Sequence, residues 1–579
     1  MKLFKIFTLA LTFININIIF CNSKCGADKL KIRPKKLNIT SKLETSSIKS
    51  TSSDSYTPIK IGYDFTTFKK PSSMDSSLFS DVKSILQETR EEFSKILQVQ
   101  HKDINLDNRL NEIKYICGLN TIGADYPNFL IKNDLIIFPM FYKFDEGVLA
   151  AAAPCIIDDN NRPVGGVLYI NSGIDLNKVN TKLYMKNILI HEITHILVFH
   201  PDIFSSLHLS ERIYSSSYII SPNAIAKARE HFNCSTLTRI PLENQGGSGS
   251  VGSHWESRYM LGDYMISTDY PDQAISDITL GLFEDSGFYK VNYYSGGLFK
   301  FCKNKGCEFM SESKKCIENE QATFNEFCET VKEPMCTSSR AIKSSCFLVT
   351  YKNNLQRKYR YFSDPRKGGF SAADYCPVAF EFHDDDYYFS THCQAGESQL
   401  SEEYNETLGN NSLCFMSSLL PNSSSINQTS LIPICYEVEC DTSNKALLIK
   451  IGSEIITCDN DGIPNIPSGF KGSIICPKYS EICSSNDGLI CNEMFSCFTE
   501  LANKNNYNYK TTYYDYEGAA ADNSNNNQNN PNTNNKGETD SINNGNGGNN
   551  NGNGRNDGLN DNNDDDEDNF EPIRSKFLI

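Results

Sequence analysis

Residues 191–195 read His-Glu-Ile-Thr-His. On a helix, two histidines four apart project from one face, roughly 6 Å from each other, so both imidazoles can reach a single ion. The carboxylate of Glu192, beside the first histidine, can then take a proton from water held at the metal without coordinating the metal itself. Zinc is the ion this grouping suits, because it lowers the pKa of such a water and polarises a carbonyl under attack. With nine histidines in 579 residues, His-Glu-x-x-His alone is weak, and its flanks decide the matter. Met185, Ile188, Leu189, Ile193, Ile196 and Leu197 recur with helical rather than alternating period. The motif therefore lies on a largely buried helix, where two histidines and a glutamate are costly without a partner.

A catalytic zinc site takes three protein ligands and leaves the fourth position to water. His254, in Gly252-Ser-His-Trp-Glu256, is the best third ligand; His200, His208, Glu211 and Glu230 are competing candidates in the sequence. The segment from Leu242 to Arg258, with its Gly-Ser run from Gly246 before His254, resembles the leishmanolysin family of metzincin peptidases. So do Met265 in Gly262-Asp-Tyr-Met265-Ile-Ser, Asn133-Asp-Leu-Ile-Ile-Phe, Ala150-Ala-Ala-Ala-Pro-Cys155 and Arg162-Pro-Val-Gly-Gly166, all in the order expected.

The resemblance covers residues 55–300 closely and the remainder only in character. It implies an α+β fold: a metzincin-type zinc peptidase catalytic domain with an inserted central subdomain and a disulfide-rich C-terminal region. It implies one Zn2+ per chain held by His191, His195 and His254, with Glu192 as general base and then acid, and Met265 in a turn under the site. It also implies that the strand at Gly166–Asn171 lies along the cleft and offers a free edge to the substrate backbone. Cys25 would be a zymogen switch blocking the metal, although its neighbours differ from the family's His-x-Cys-Ile-His-Asp; an ordinary disulfide partner is the alternative. One departure stands at Val198, where metzincins usually have glycine at the helix exit. A β-branched residue resists positive φ, so the helix is expected to run on through Phe199 until Pro201 stops it, shifting His254.

The surrounding elements follow from pattern. Met1 to Phe20 has a short basic start and an apolar run, which reads as a signal peptide over 1–22; residues 23–55 read as a propeptide. Residues 56–200 form the N-terminal catalytic domain, opening with a strand at Pro58–Phe65. A helix follows, with Leu78, Phe79, Val82, Ile85, Leu86, Phe93, Ile96 and Leu97 on one stripe, and Leu135–Phe138 forms a buried strand. The central subdomain spans 201–300, with Trp255 packing against the site and Glu256 either orienting a ligand or making a surface salt bridge. The cysteine-rich domain spans 301–500, and an Asn-rich tail expected to be disordered spans 501–579. The His383-Asp-Asp-Asp run reads as a solvated acidic turn.

Twenty-one cysteines and six Asn-x-Ser/Thr sequons, the first at Asn38, indicate export through an oxidising compartment. Nineteen of those cysteines follow Cys25, so full pairing leaves one over. No apolar C-terminal tail for a lipid anchor or membrane span is visible, which fits a secreted protein or one held peripherally at the cell surface. A net charge of −16 argues against nucleic-acid partners; the partners expected are protein and peptide substrates. Oligomeric state is not legible. The alternative function is a catalytically weak homologue serving as a surface adhesion or coat glycoprotein, and Val198 is the one residue that speaks for it.

Overall fold

The computed structural model describes residues 32–36, 55–101, 110–119, 132–144, 148–173, 182–245, 250–268, 270, 273–295, 299–380, 392–394, 398, 400, 402–483 and 498–517. The signal peptide, Cys25, Asn38, the Gly246 run, His383, Cys491, Cys497 and the tail after Glu517 lie outside the described residues.

A five-stranded sheet organises the first part of the chain. Its strands are β1 (Lys35–Lys36), β3 (Ile61–Tyr63), β5 (Leu135–Tyr142), β6 (Ala150–Ile157) and β7 (Pro163–Asn171), in spatial order β1-β6-β7-β5-β3. Strand β6 runs antiparallel to β7, and the other neighbours are parallel. Alternate residues face opposite layers, as the strand period requires. Leu135, Ile137, Leu168 and Ile170 join the core under helices α1 (Ser76–Ile96) and α3 (Lys182–Leu197). Ile136, Phe138 and Val167 instead pack with Ile113 and Ile116 of α2 (Leu110–Ile116), which the Cys117–Cys155 disulfide pins to β6. The expected first strand is broken in two, β2 (Thr57–Pro58) pairing with β4 (Leu97–Val99) and β3 entering the main sheet.

Val82, Ile85, Leu86, Phe93 and Ile96 of the expected stripe are buried on α1, Leu78 and Phe79 are half-buried and Leu97 opens β4, while Asp75 caps the helix by accepting from the Leu78 amide at 2.7 Å. Glu92 on α1 binds Lys95 at 3.0 Å and Lys186 of α3 at 2.6 Å, joining the two helices. Close approach of α3 to the sheet depends on Gly166, where an added Cβ would lie 2.4 Å from Ile196 Cγ2.

Strand β7 has no free edge, contrary to expectation, because it is paired on both sides. The edge belongs to β6. Among the described residues β6 is paired outwardly only by β1, from the expected propeptide, at Ile156 and Ile157. Pairing of distant segments, which no local pattern encodes, decides this arrangement.

Residues 201–300 contribute helices Pro201–Ser206, Pro222–Phe232 and Asp277–Asp285 and the strand Tyr289–Val291, which pairs back onto β4. The hydrophobic core does not break at residue 300 but continues to Val378. A second core lies within an antiparallel sheet of Ser412–Ser417, Ile432–Asp441, Ala446–Ile451, Glu454–Cys458 and Pro464–Asn465. Eight disulfides join described residues, Cys234–Cys307 tying the central region to the cysteine-rich one, and Cys302 is a buried free thiol.

Residues 498–517 correct the expectation of a disordered tail from 501. Helix Phe498–Lys504 is followed by a strap laid along α1 and the β3 edge. Tyr507 donates to the Ser94 carbonyl at 2.9 Å, and Asp515 takes Arg90 at 2.6 Å, Gln87 at 3.0 Å and the Tyr63 amide at 3.0 Å. Tyr516 completes the edge, its amide on the Tyr63 carbonyl and its carbonyl on the Phe65 amide. Five tyrosines between 507 and 516 supply the apolar contact that the Asn-rich composition conceals.

Candidate metal centre

Helix α3 presents His191 and His195 one turn apart, as their spacing requires. The segment 253–256 brings His254 to them from the other side, held by Glu243 N–H on the His254 carbonyl at 2.9 Å and Trp255 N–H on the Met265 carbonyl at 3.0 Å. The three Nε2 atoms form a nearly equilateral triangle with sides of 3.1, 3.2 and 3.2 Å. Tetrahedral ligands 2.0–2.1 Å from zinc would stand about 3.3 Å apart, so the triangle fits that ion.

The other ring nitrogen of each histidine is committed. His191 Nδ1 meets the Tyr264 carbonyl at 2.6 Å, His195 Nδ1 the Phe199 carbonyl at 2.7 Å, and His254 Nδ1 the Ser250 carbonyl at 3.2 Å. A carbonyl can only accept, so Nδ1 carries the proton and Nε2 presents its lone pair to the centre. Burial holds all three imidazoles neutral, lowering His191 to about 4 and the other two well below their ordinary value. His195 and His254 are wholly buried while His191 keeps 9% exposure, so access is from its side. Glu192 is buried on the same helix, adjacent to His191.

Among the described residues this is the one group of histidine, cysteine or carboxylate side chains placed to hold an ion. His200 instead caps the helix Pro201–Ser206, accepting from the Asp202 amide at 3.2 Å. Glu230 pairs with Lys227, and neither His208 nor Glu211 joins the cluster. Glu256 neither orients a ligand nor forms a surface salt bridge. It is buried, caps residues 257–260 and accepts from Asn244 at 2.7 Å.

Val198 does not carry α3 onward as expected. The helix ends at Leu197, and both the Val198 and Phe199 amides bond the Thr194 carbonyl at 2.9 Å, without positive φ at Val198. This tight exit places the Phe199 carbonyl on His195 Nδ1, so the three histidines meet with valine at this position. Phe199 then packs edge-on against Trp255, 5.0 Å between ring centres, which bears out the expected packing of Trp255 at the site. Val198 is fully buried, so Val198→Gly should cost about 2–4 kcal/mol from lost burial and added chain freedom. Zinc affinity should not improve. Denaturant unfolding of the metal-free protein with a parallel zinc titration checks this, and tighter binding by the variant would contradict it.

Sequence reasoning missed Glu243, Asp263, Tyr264 and Thr194. The Tyr264 hydroxyl lies 3.0 Å from Thr194 Oγ1 on α3, while its carbonyl holds His191, so one residue fixes both sides of the turn containing Met265. Nothing in composition or period marks these residues; only the adjacency of Asp263 and Tyr264 to Met265 could have drawn attention to them.

Glu243 is pushed up to about 8, chiefly by burial and further by Asp374 nearby. A carboxyl with a raised folded pKa binds its proton more tightly folded than unfolded, so stability is present at low pH and lost as pH rises from about 4.5 to about 8. The stability difference between parent and Glu243→Gln, read by urea unfolding of the metal-free protein, should carry this decline, since the buried histidines, which favour the fold as pH rises, act alike in both. An equal slope in the variant would exclude Glu243 as its source.

Fold and site together define an α+β protein with a three-histidine cluster, built on a His-Glu-x-x-His helix and placed to hold a metal ion. The leishmanolysin peptidase family model matches residues 81–488, and the chain belongs to that family. It is 26% identical to leishmanolysin of Leishmania tropica over 392 residues, covering 64% of this chain and 58% of that protein. Identity to leishmanolysin of Leishmania donovani is 28% over 410 residues, covering 68% and 67%. Identity to a leishmanolysin-like peptidase of Drosophila pseudoobscura pseudoobscura is 31% over 303 residues, covering 46% and 44%. The chain thus spans about 58% of the length of the first curated relatives it matches.

Proposed function

We propose that this protein is an exported zinc metalloendopeptidase acting on protein substrates. The observation that carries the proposal is the triangle of Nε2 lone pairs, each fixed by a carbonyl on Nδ1, with Glu192 on the same helix. Zinc bound there by His191, His195 and His254 would supply a Lewis acid that activates water and polarises the scissile carbonyl. Glu192 takes the proton of the attacking water and returns it to the amine nitrogen as the C–N bond breaks.

Substrate backbone pairs with the outer edge of β6, giving affinity with little dependence on sequence. Pro154 of that strand pairs with Gly166, which lies under Ile196, so the edge runs past the His195 end of α3. Residues Lys35–Lys36 occupy the same edge at Ile156–Ile157, which supports a latent form in which residues 23–55 compete with substrate. Cys25 remains the candidate metal-blocking residue of that segment.

Eight disulfides fit an oxidising compartment, and among the described sequons Asn233, Asn410, Asn422 and Asn427 are exposed and open to glycosylation. Among the described residues no helix is long and apolar enough to cross a membrane. The adhesion alternative rested on Val198, whose position leaves the triad assembled.

The test is peptide hydrolysis by protein lacking residues 1–55, before and after chelation and zinc restoration. Activity lost to the chelator and regained with zinc is expected. A folded, zinc-loaded sample without activity would overturn the proposal.

A further inference from the structure

Asp263 is a wholly buried carboxylate outside the three-histidine group. Its Oδ1 accepts the Met265 amide at 2.8 Å, fixing the turn whose Tyr264 carbonyl holds His191. Its Oδ2 accepts the Ser276 amide at 3.2 Å and the Thr279 hydroxyl at 2.8 Å. Having given its proton to Asp263, the Thr279 oxygen accepts from Trp255 Nε1 at 2.8 Å, and Trp255 is the residue after His254. One carboxylate therefore joins the acceptor of the first ligand to the neighbour of the third.

We propose that Asp263 is a positioning residue for the metal centre, holding His254 and the orientation of His191 through Thr279, Trp255 and the turn at Met265. The inference rests on the zinc-binding reading above. A carboxylate suits the site because the groups around it can all donate, the Met265 and Ser276 amides and the Thr279 and Ser276 hydroxyls, and an asparagine would turn an N–H toward one of them. The preassembled centre spares the ion the cost of ordering the loop that carries His254.

The test uses the full chain with Asp263→Asn, Thr279→Val and Thr279→Ser. Zinc dissociation constants are measured by competition with a chelating dye, ligand geometry by the visible bands of the Co2+-loaded protein, and unfolding temperature in parallel. Trp255, the single tryptophan, reports on its own hydrogen bond by fluorescence. Asp263→Asn and Thr279→Val should weaken zinc binding by roughly 10–100-fold, the usual effect of losing a group that orients a ligand, and shift the Co2+ bands. Thr279→Ser, which keeps the hydroxyl, should restore both. Should Asp263→Asn fail to fold, Thr279→Val carries the test, since it keeps the carboxylate.

Variants that bind zinc as tightly as the parent with unchanged Co2+ bands would overturn the inference, even with lowered unfolding temperatures, because Asp263 would then serve only the fold. Failure of the parent chain to bind either ion would instead overturn the zinc reading itself.

Discussion

Glu192→Gln should leave the protein folded and zinc-loaded while lowering kcat/KM for peptide hydrolysis by about 10²–10⁴-fold. Glutamine keeps the size and planarity of the side chain, and the three ligands keep their carbonyl partners, so neither packing nor metal affinity has reason to change. What disappears is the carboxylate that takes the proton of the attacking water. The loss should fall on kcat with KM nearly constant, because the proton moves only in the transition state. Steady-state kinetics beside metal analysis separates this from misfolding. A variant keeping more than about a tenth of the parent's kcat/KM would remove Glu192 from the role of general base.

The second large effect concerns His254. Structural zinc sites bind with roughly 10–16 kcal/mol, so losing one of three ligands should cost about 3–5 kcal/mol, or 10²–10⁴-fold in affinity. The parent should unfold at higher temperature when zinc is added, since an ion bound only by the folded state stabilises it by mass action. At a zinc concentration about a hundred times the dissociation constant that gain is about 2.7 kcal/mol. His254→Ala should keep at most about 0.4 kcal/mol of it at the same concentration. His200→Ala and His208→Ala should behave as the parent, because one caps a helix and the other lies outside the cluster. Zinc stabilisation that survives loss of His254 would mean a different ligand set.

The parts of this arrangement that were legible in the sequence are those fixed by local spacing. Helical period placed His191, His195 and Glu192 on α3, and the stripe from Val82 to Ile96 marked α1. His254, Met265 and the glycine at 166 came from motif resemblance, since nothing within a few residues of any of them states where it will meet α3. What escaped is non-local. That β7 has no free edge depends on β5 and β6 flanking it, and the Val198 exit goes with a carbonyl finding His195. Glu256 failed for another reason. A carboxylate next to a ligand reads as its orienter, yet chain direction turned it away to cap the helix that follows. The strap was hidden by composition, because averaging over an Asn-rich window dilutes its tyrosines and Asp515.

That strap also governs when the protein can exist. Arg90 and Asp515 are 425 positions apart, so the partner that seals the β3 edge leaves the ribosome long after the sheet it belongs to. At roughly 5–20 residues per second, the delay is on the order of tens of seconds. Throughout it the Tyr63–Phe65 backbone presents unpaired amide and carbonyl groups, the type of edge along which strands from other molecules add. Completion of the first module is therefore a late event in biosynthesis, set by translation of nearly the whole folded chain.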